Sequence, residues 1–408
     1  MNNKKKKVLF VSYDGLTDPL GQSQILPYFI SLSNLGHQIT ILSCEKRLKS
    51  FNTKRLQLKK ICEENEINWQ FVDYSKTPPI LSTFSDLAKM KRLAMALHQS
   101  HHFDWVHCRT ILTVNIGLAL QKKGSRLIFD IRGFWADERV DGKLWNLSNP
   151  LYAFVYKVFK RKEKFAYQHA DRIVTLTQSA QDQLVSQFGT KRKNMTIVPC
   201  MADLDHFSEK GVDYELQDHL VKRLDLENKL IIGYCGSLGT RYLIKEMLLC
   251  FKTIKDAKNL KPSIFLIVTH SDTSELKKLI TYYNLDGSVV ITSSTYQAIP
   301  TYISIMDIAL YFIFSGNSGK AVSPTKQAEF LALGVPIITN GGIGDSEKVL
   351  RTHNCGEVVN LFSEEEFKKV ATKIPNLLSL PKEEIRETAK RFFDLNKGVL
   401  RYDDLYSS

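Results

Sequence analysis

No stretch of this 408-residue chain is apolar for long enough to cross a bilayer. A spanning helix needs about 18 consecutive apolar residues, and the nearest approach, residues 303–314, is broken by Asp307. No secretory leader is expected either. Lys4 to Lys7 precede only Val8-Leu9-Phe10-Val11 before polar Ser12, too short an apolar core. The seven cysteines form no Cys-x-x-Cys pair and keep no metal-ligand spacing with histidine. That excludes a disulfide framework and a zinc site, and leaves reduced thiols as in the cytosol. Repeats and low-complexity segments do not occur. Aromatics do not interleave with basic residues as on an RNA-binding sheet, so no specific nucleic-acid partner is expected.

What the chain has in excess is positive charge, +13 overall with a pI near 9.2. Such a balance suits a polyanion: nucleic acid, anionic lipid or a phosphorylated substrate. The composition, 43% hydrophobic and 24% charged, is that of a soluble globular protein. The length predicts two domains of about 200 residues each.

An α/β rhythm runs through both halves. Val8 to Tyr13 reads as a strand closed by Asp14-Gly15, then a loop with Gly21, a helix from about 24 to 34 and a strand over 39–42. Apolar strands joined by helices predict a doubly wound parallel sheet, whose first strand-to-helix loop is where ligands bind. Further strands are predicted at 69–72, 105–108, 126–130, 171–176 and 195–199, with helices at 86–99, 112–121, 151–170 and 179–188. The pattern lapses between Met201 and Tyr214. A second series begins at Leu230 and runs through strands at 263–268 and 289–291, a helix at 274–283, the apolar segment 303–314 and a helix at 381–393. The predicted division is a first domain over 1–205 and a second over 206–389, with a tail from about 390 to 408 packing back on the first.

Three stretches carry chemistry. Ser323-Pro-Thr-Lys-Gln-Ala-Glu-Phe-Leu-Ala-Leu-Gly-Val-Pro-Ile-Ile-Thr339 predicts a helix capped by Ser323, stopped by Gly334 and followed by a buried strand. The amides of Thr325, Lys326 and Gln327 then have the positive end of the helix dipole behind them, which makes a seat for phosphate. Lys326 adds a full charge, and Glu329, one turn on, can accept two hydroxyl hydrogen bonds from a ribose. The alternative is an ordinary helix–strand unit with a serine cap. In residues 131–142, Arg132, Trp135, Asp137, Glu138 and Arg139 crowd together after a strand's carboxyl end. They form either a polar ligand site or a solvated loop anchored by Trp135. The helix at 151–170 sets Phe154, Phe159 and Phe165 among Lys157, Lys160, Arg161, Lys162 and Lys164. It either lies on an anionic membrane or is a core helix with a basic outer face.

With these stretches the sequence resembles the GT-B glycosyltransferases of family 4, retaining enzymes that use nucleotide sugars. The resemblance covers essentially the whole chain. It rests on the Gly21 loop, Leu35-Gly-His-Gln-Ile-Thr-Ile41, Asp104-Trp-Val-His107, Ala170-Asp-Arg-Ile-Val-Thr-Leu-Thr177, Val198-Pro-Cys-Met-Ala-Asp203 through Phe207, Gly233-Tyr-Cys-Gly-Ser-Leu238 and the stretch from Ser323 to Thr339. Asp14-Gly-Leu-Thr-Asp-Pro-Leu-Gly-Gln-Ser-Gln24 and Phe129-Asp-Ile-Arg-Gly-Phe-Trp-Ala-Asp-Glu-Arg139 resemble a bacterial branch that builds surface polysaccharides. The resemblance implies an α/β fold of GT-B type, two Rossmann-like doubly wound parallel-sheet domains facing across a cleft. It implies a nucleotide-sugar donor, with a UDP-sugar expected, and a lipid-linked or growing saccharide as acceptor. Neither a cofactor nor a metal is expected. The expected location is cytoplasmic, peripheral on the inner face of the bacterial cytoplasmic membrane.

By the same resemblance, donor contacts fall to Gly21, Gly236, Ser237, Arg241, Lys245, Ser323, Thr325, Lys326 and Glu329. Gly21 lies against the distal phosphate, the amides of Thr325 and Lys326 cradle the diphosphate, and Glu329, the second acid of the family's paired-glutamate motif, holds the ribose. The implied catalytic set is Arg109, Asp130, Arg132 and Lys326, and the implied acceptor set is Asp18, Gln22, Trp135, Asp137, Glu138 and Arg139. Three positions depart from the family pattern. The first acid is Ala321, and the phosphate-binding arginine after Gly236 is Ser237, with Arg241, Lys245 or Lys326 as its substitute. The active-site histidine position is Arg109. Two alternatives stay open on these departures: a nucleotide-sugar epimerase of the same fold, and a non-catalytic nucleotide-sugar-binding partner.

Overall fold

The computed structural model describes residues 5–47, 51–78, 81–239 and 241–408; Lys4, first of the N-terminal lysines, lies outside them. The chain divides into two compact units. The first comprises residues 1–140, 145–199 and 395–408, and the second residues 141–144 and 200–394.

The first unit opens with β1 (Lys7–Ser12), α1 (Pro19–Gln24), α2 (Leu26–Asn34), β2 (Gln38–Glu45), α3 (Phe51–Glu64), β3 (Asn68–Asp73) and α4 (Leu81–His101). It continues through β4 (Trp105–Arg109), α5 (Thr110–Gln121), β5 (Arg126–Asp130), α6 (Trp135–Asp141), α7 (Pro150–His169), β6 (Arg172–Thr175), α8 (Gln178–Phe188) and β7 (Met195–Ile197). The strands form one parallel sheet in the order β3-β2-β1-β4-β5-β6-β7. Central strands covered by helices on both faces read as unbroken apolar runs, and Val8 to Val11 are all buried. The order reverses between β1 and β4, so their carboxyl ends open the crevice where such sheets bind ligands.

The second unit holds α9 (Tyr214–Arg223), β8 (Leu230–Cys235), α10 (Ile244–Lys255), β9 (Ser263–Val268), α11 (Ser274–Tyr282), β10 (Val289–Thr292), α12 (Ile299–Ser304) and β11 (Ile308–Leu310). Then follow α13 (Thr325–Ala332), β12 (Ile337–Asn340), α14 (Ser346–Thr352), β13 (Gly356–Val359), α15 (Glu364–Leu378) and α16 (Lys382–Phe392). Its sheet is parallel in the order β10-β9-β8-β11-β12-β13, reversing between β8 and β11. Among the described residues, no helix is long and apolar enough to cross a membrane.

The last helix, α17 (Leu395–Ser407), returns to the first unit. Tyr406 is fully buried there; its hydroxyl lies 2.7 Å from His107 Nδ1, and its carbonyl accepts from Trp105 Nε1 at 2.8 Å. Tyr402 packs edge-on against Tyr28, Asp403 meets His37 at 2.8 Å, and Arg401 donates to the Ile197 carbonyl at 2.7 Å. One helix therefore seals apolar surface while satisfying buried polar groups on β4, which would be costly to leave unpaired.

Three expectations change. The division falls at Cys200 and Leu395 rather than at 206 and about 390. Ala202 pairs with Asp394, and Arg386 donates to the carbonyls of Leu204 and Phe207, which ties this linker to the second unit. Residues 303–314 are not one apolar element but the end of α12 and all of β11. Asp307 between them accepts from the Ile231 amide at 2.8 Å, so the charge serves strand pairing. Residues 131–142 are not all loop, since seven of them form α6, with Asp137 and Glu138 in its first turn where acids complement the helix dipole.

Because Tyr406 combines full burial with a hydroxyl bonded to His107, Tyr406→Ala should cost about 3–5 kcal/mol, the range for emptying a large aromatic site. Urea denaturation of the full chain measures this.

Candidate functional site

In the second unit the site forms at the carboxyl ends of β8 and β11. Helix α13 starts at Thr325 with Pro324 as its N-cap, and no side chain caps it. This corrects the expected role of Ser323. Its hydroxyl accepts instead from the Cys200 amide at 3.1 Å, and the extended Pro324 (ψ 120°) delays the first helical residue to Thr325. The positive end of the helix is thus left without a capping oxygen from the chain itself.

Lys326 is 5% exposed. Its Nζ sits 3.6 Å from the ring centre of Tyr242, 4.6 Å from that of Tyr234 and 5.7 Å from that of Tyr311, and 3.5 Å from the Tyr234 hydroxyl. Among the described residues it forms no ion pair with a carboxylate, so ring faces provide the attraction that holds the cation. Gly236 makes room for it. Its φ of +135° belongs to glycine, and a Cβ there would stand 3.2 Å from Lys326 Nζ. Glu329, one turn along α13, is partly exposed. Desolvation pushes its carboxyl up to about 7, with Lys326 pulling the other way.

The remaining expected donor residues lie around this core. Ser237 is exposed, and its carbonyl accepts from the Tyr234 hydroxyl. Arg241 donates to Ser318 Oγ at 3.1 Å. Lys245 is exposed in the first turn of α10 and is not drawn into the cluster. Ala321, where the resemblance expects an acid, is buried in a short turn. The structure therefore brings Gly236 and Lys326 together with three tyrosines that sequence reasoning did not single out, and sets Glu329 one turn along α13. Asp203-Leu-Asp205 is an Asp-x-Asp pair that sequence reasoning also passed over. Asp203 Oδ1 is engaged by the amides of Asp205 and His206.

In the first unit, Arg109 ends β4, and Asp130 ends β5 beside it. Asp130 is buried, with Oδ2 3.3 Å from the Tyr402 hydroxyl and 3.5 Å from His107 Nε2. Burial alone would raise its pKa, but Arg132, His107 and Arg109 outweigh that and hold it below the usual carboxylate range. Burial, aided by the two arginines, pushes His107 down against the pull of Asp130, so the pair is a neutral imidazole beside a carboxylate. Arg109 Nε is 3.3 Å from Asp14 Oδ2, and Arg132 Nη2 is 3.5 Å from Gln24 Oε1. Arg132 (φ +54°) and Gly133 (φ +138°) turn the chain sharply out of β5. A Cβ on Gly133 would meet Glu138 Oε1 at 2.2 Å, which places Glu138 across this turn.

Gly21 lies in α1, packed so closely on the preceding loop that a Cβ would come 2.2 Å from the Gly15 carbonyl oxygen. Asp18 pairs with Lys46 at 2.8 Å, and Gln22 donates to the Thr17 carbonyl. The organiser of this loop is Glu45, fully buried at the end of β2. It accepts from the amides of Leu16 and Thr17 and the hydroxyls of Thr17 and Ser43. A lone glutamate closing an apolar strand gave no signal of that in the sequence. The 131–142 segment separates into two roles. Asp137 is buried and committed to Tyr156 and Lys160, both at 2.7 Å, so it joins α6 to α7. Trp135 packs against Trp145 and Phe159, with Arg139 stacked 4.6 Å above it.

Comparison with known proteins gives the site its context. The chain matches the Glycosyltransferase Family 4 profile over residues 30–206 and Glycosyl transferases group 1 over residues 217–392. It is 26% identical over 220 residues to TuaH of Bacillus subtilis (strain 168), provisionally named as a teichuronic acid biosynthesis glycosyltransferase. That match takes in 52% of this chain, which spans 50% of the length of that curated relative. Sucrose-phosphate synthase from Thermosynechococcus elongatus superposes with a TM-score of 0.73 at 13% identity over 98% of each chain. WaaG, a glycosyltransferase involved in lipopolysaccharide biosynthesis, does so with 0.67 at 14% identity, over 98% of this chain and 99% of its own. At these identities the likeness to the two structures is one of fold.

The raised Glu329 carboxyl fixes the sign of a pH effect. The folded chain keeps this proton to about pH 7 and the unfolded chain only to the ordinary 4.5. The stability it contributes is therefore present below 4.5 and lost as the pH rises to 7. Glu329→Gln should raise the melting temperature at pH 8 and leave it unchanged at pH 4.5. The gain should be roughly 1–2 kcal/mol, reduced from the full linkage value by partial solvation. Calorimetry at the two pH values measures it.

Proposed function

Because the chain belongs to the family 4 glycosyltransferases and carries their GT-B fold, we propose that it transfers a sugar from a nucleotide sugar, with a UDP-sugar as the expected donor, to a lipid-linked or growing saccharide in surface-polysaccharide synthesis. The observation that carries this reading is Lys326, a buried cation held by tyrosine rings at the uncapped start of α13. In transfer, the bond from the anomeric carbon to the diphosphate breaks and a bond to the acceptor oxygen forms. Negative charge grows on the departing diphosphate, so fixed positive potential at that point lowers the barrier most. On this reading Lys326 and the amides of Thr325 and Lys326 supply that potential, and Glu329 takes the ribose hydroxyls. Since Ser237 has no charge, Lys326 stands in for the absent arginine.

The acceptor belongs to Arg109, Asp130 and Arg132 of the first unit. Asp130, held ionised, helps position the acceptor. A retaining route on one face of the sugar needs no base from the protein, because the leaving phosphate can take the acceptor's proton. The protein supplies the positive potential, so no divalent cation is required.

Release of nucleoside diphosphate from a panel of nucleotide sugars, with a polysaccharide precursor fraction as acceptor, tests the reading. One base should be strongly preferred and turnover should survive EDTA. Lys326→Ala and Glu329→Ala should each lower kcat/KM by about 100-fold or more, as loss of one transition-state donor does. Undiminished turnover in both variants would overturn the assignment, and isomerised donor without acceptor would make the protein an epimerase.

A further inference from the structure

Helix α7 has two faces. Glu163, Ala166 and Tyr167 are buried, and Lys160 reaches Asp137 and Glu163 at 2.7 Å each, so this side is committed to the fold. The other side is unusual for a surface helix. Leu151, Phe154, Val158 and Phe165 are 59%, 65%, 42% and 49% exposed. At 100° per residue they fall within a sector of roughly 60°, so four large apolar side chains form one straight stripe along a 20-residue helix. Leu147, 40% exposed, stands just before the helix begins. Arg161, Lys157 and Lys164 are exposed and flank the stripe on one side. Isolated surface hydrophobics need no explanation, but a contiguous row rimmed by basic residues marks an interaction site.

We propose that this face of α7 docks the enzyme on an anionic lipid bilayer, the helix lying parallel to the surface. Leu151, Phe154, Val158 and Phe165 enter the boundary between headgroups and acyl chains, while Lys157, Arg161 and Lys164 pair with lipid phosphates. The charge pattern selects this occupant. Apolar residues on one side and lysine or arginine at the edge are what an interfacial helix requires. A second copy fits poorly, because a two-fold contact would set basic flanks together on two molecules each carrying +13. Nucleic acid would use the flank and leave the stripe in water. The docking stands independently of the donor chemistry, though it would carry the enzyme to where a lipid-linked acceptor is presented.

Flotation of the full-length protein with phosphatidylglycerol-containing vesicles and with pure phosphatidylcholine vesicles tests this. Anionic vesicles should bind at least tenfold more tightly, and high salt should weaken binding. A double variant, Leu151→Glu with Phe154→Glu, and a separate one, Lys157→Glu with Arg161→Glu, should each lose at least tenfold in vesicle affinity. Both should keep the native melting temperature, since all four side chains point to solvent. Vesicle binding undiminished in both variants, or equal binding to neutral vesicles, would overturn the proposal. So would a concentration-dependent dimer that Phe154→Glu abolishes, which would assign the face to a second copy.

Discussion

A cation kept out of water with, among the described residues, no carboxylate in ion-pair contact is the constraint around which the second unit is built. Burying an unpaired ammonium is costly, and the cost is offset here by the faces of three tyrosine rings around Lys326. The sheet order makes that possible. Tyr234 on β8 and Tyr311 just past β11 are neighbours because these strands pair where the topology reverses. Gly236 then takes a φ of +135° that other residues rarely adopt, and a Cβ there would press on Lys326 Nζ at 3.2 Å. Ring faces attract the charge without cancelling it, so the positive potential remains directed at whatever anion arrives. A glutamate in place of the tyrosines would hold the lysine equally well and silence it.

The first unit solves the opposite problem. Its buried charge is the Asp130 carboxylate, kept ionised by Arg132 and Arg109 with a neutral His107 alongside. Tyr402 and Tyr406 of α17 reach the same two side chains from the far side of the network. The polar arrangement at the ends of β4 and β5 is thus a joint product of the sheet and a helix distant in sequence.

The alternation of short apolar strands with helices was legible from composition and period, because central parallel strands must be apolar on both faces. So was α13, where Pro324 and Gly334 mark a helix start and stop. Ser323 was misread because its sequence position suits a cap equally well whether or not a distant amide, that of Cys200, competes for its oxygen. The tyrosine cage was not legible, since its members come from three separate segments and only the fold brings them together. Glu45 was hidden for a similar reason: its four donors lie in a loop almost 30 residues away and beside it on its own strand. Dense charge in residues 131–142 suggested a ligand surface, whereas Asp137 shows that part of that charge is internal cement.

The return of α17 to the first unit also bears on how the protein is made. Trp105 and His107 find their partners about 300 positions later in the chain, at Tyr406. Ordering contacts so distant in sequence comes late, because the intervening loop must be closed first. On the ribosome, the half that emerges first therefore waits, its core open along β4, while the second unit is completed. The first unit needs α17 to cover β4, so a chain cut after residue 394 keeps every residue of the second unit and leaves the first without its covering helix.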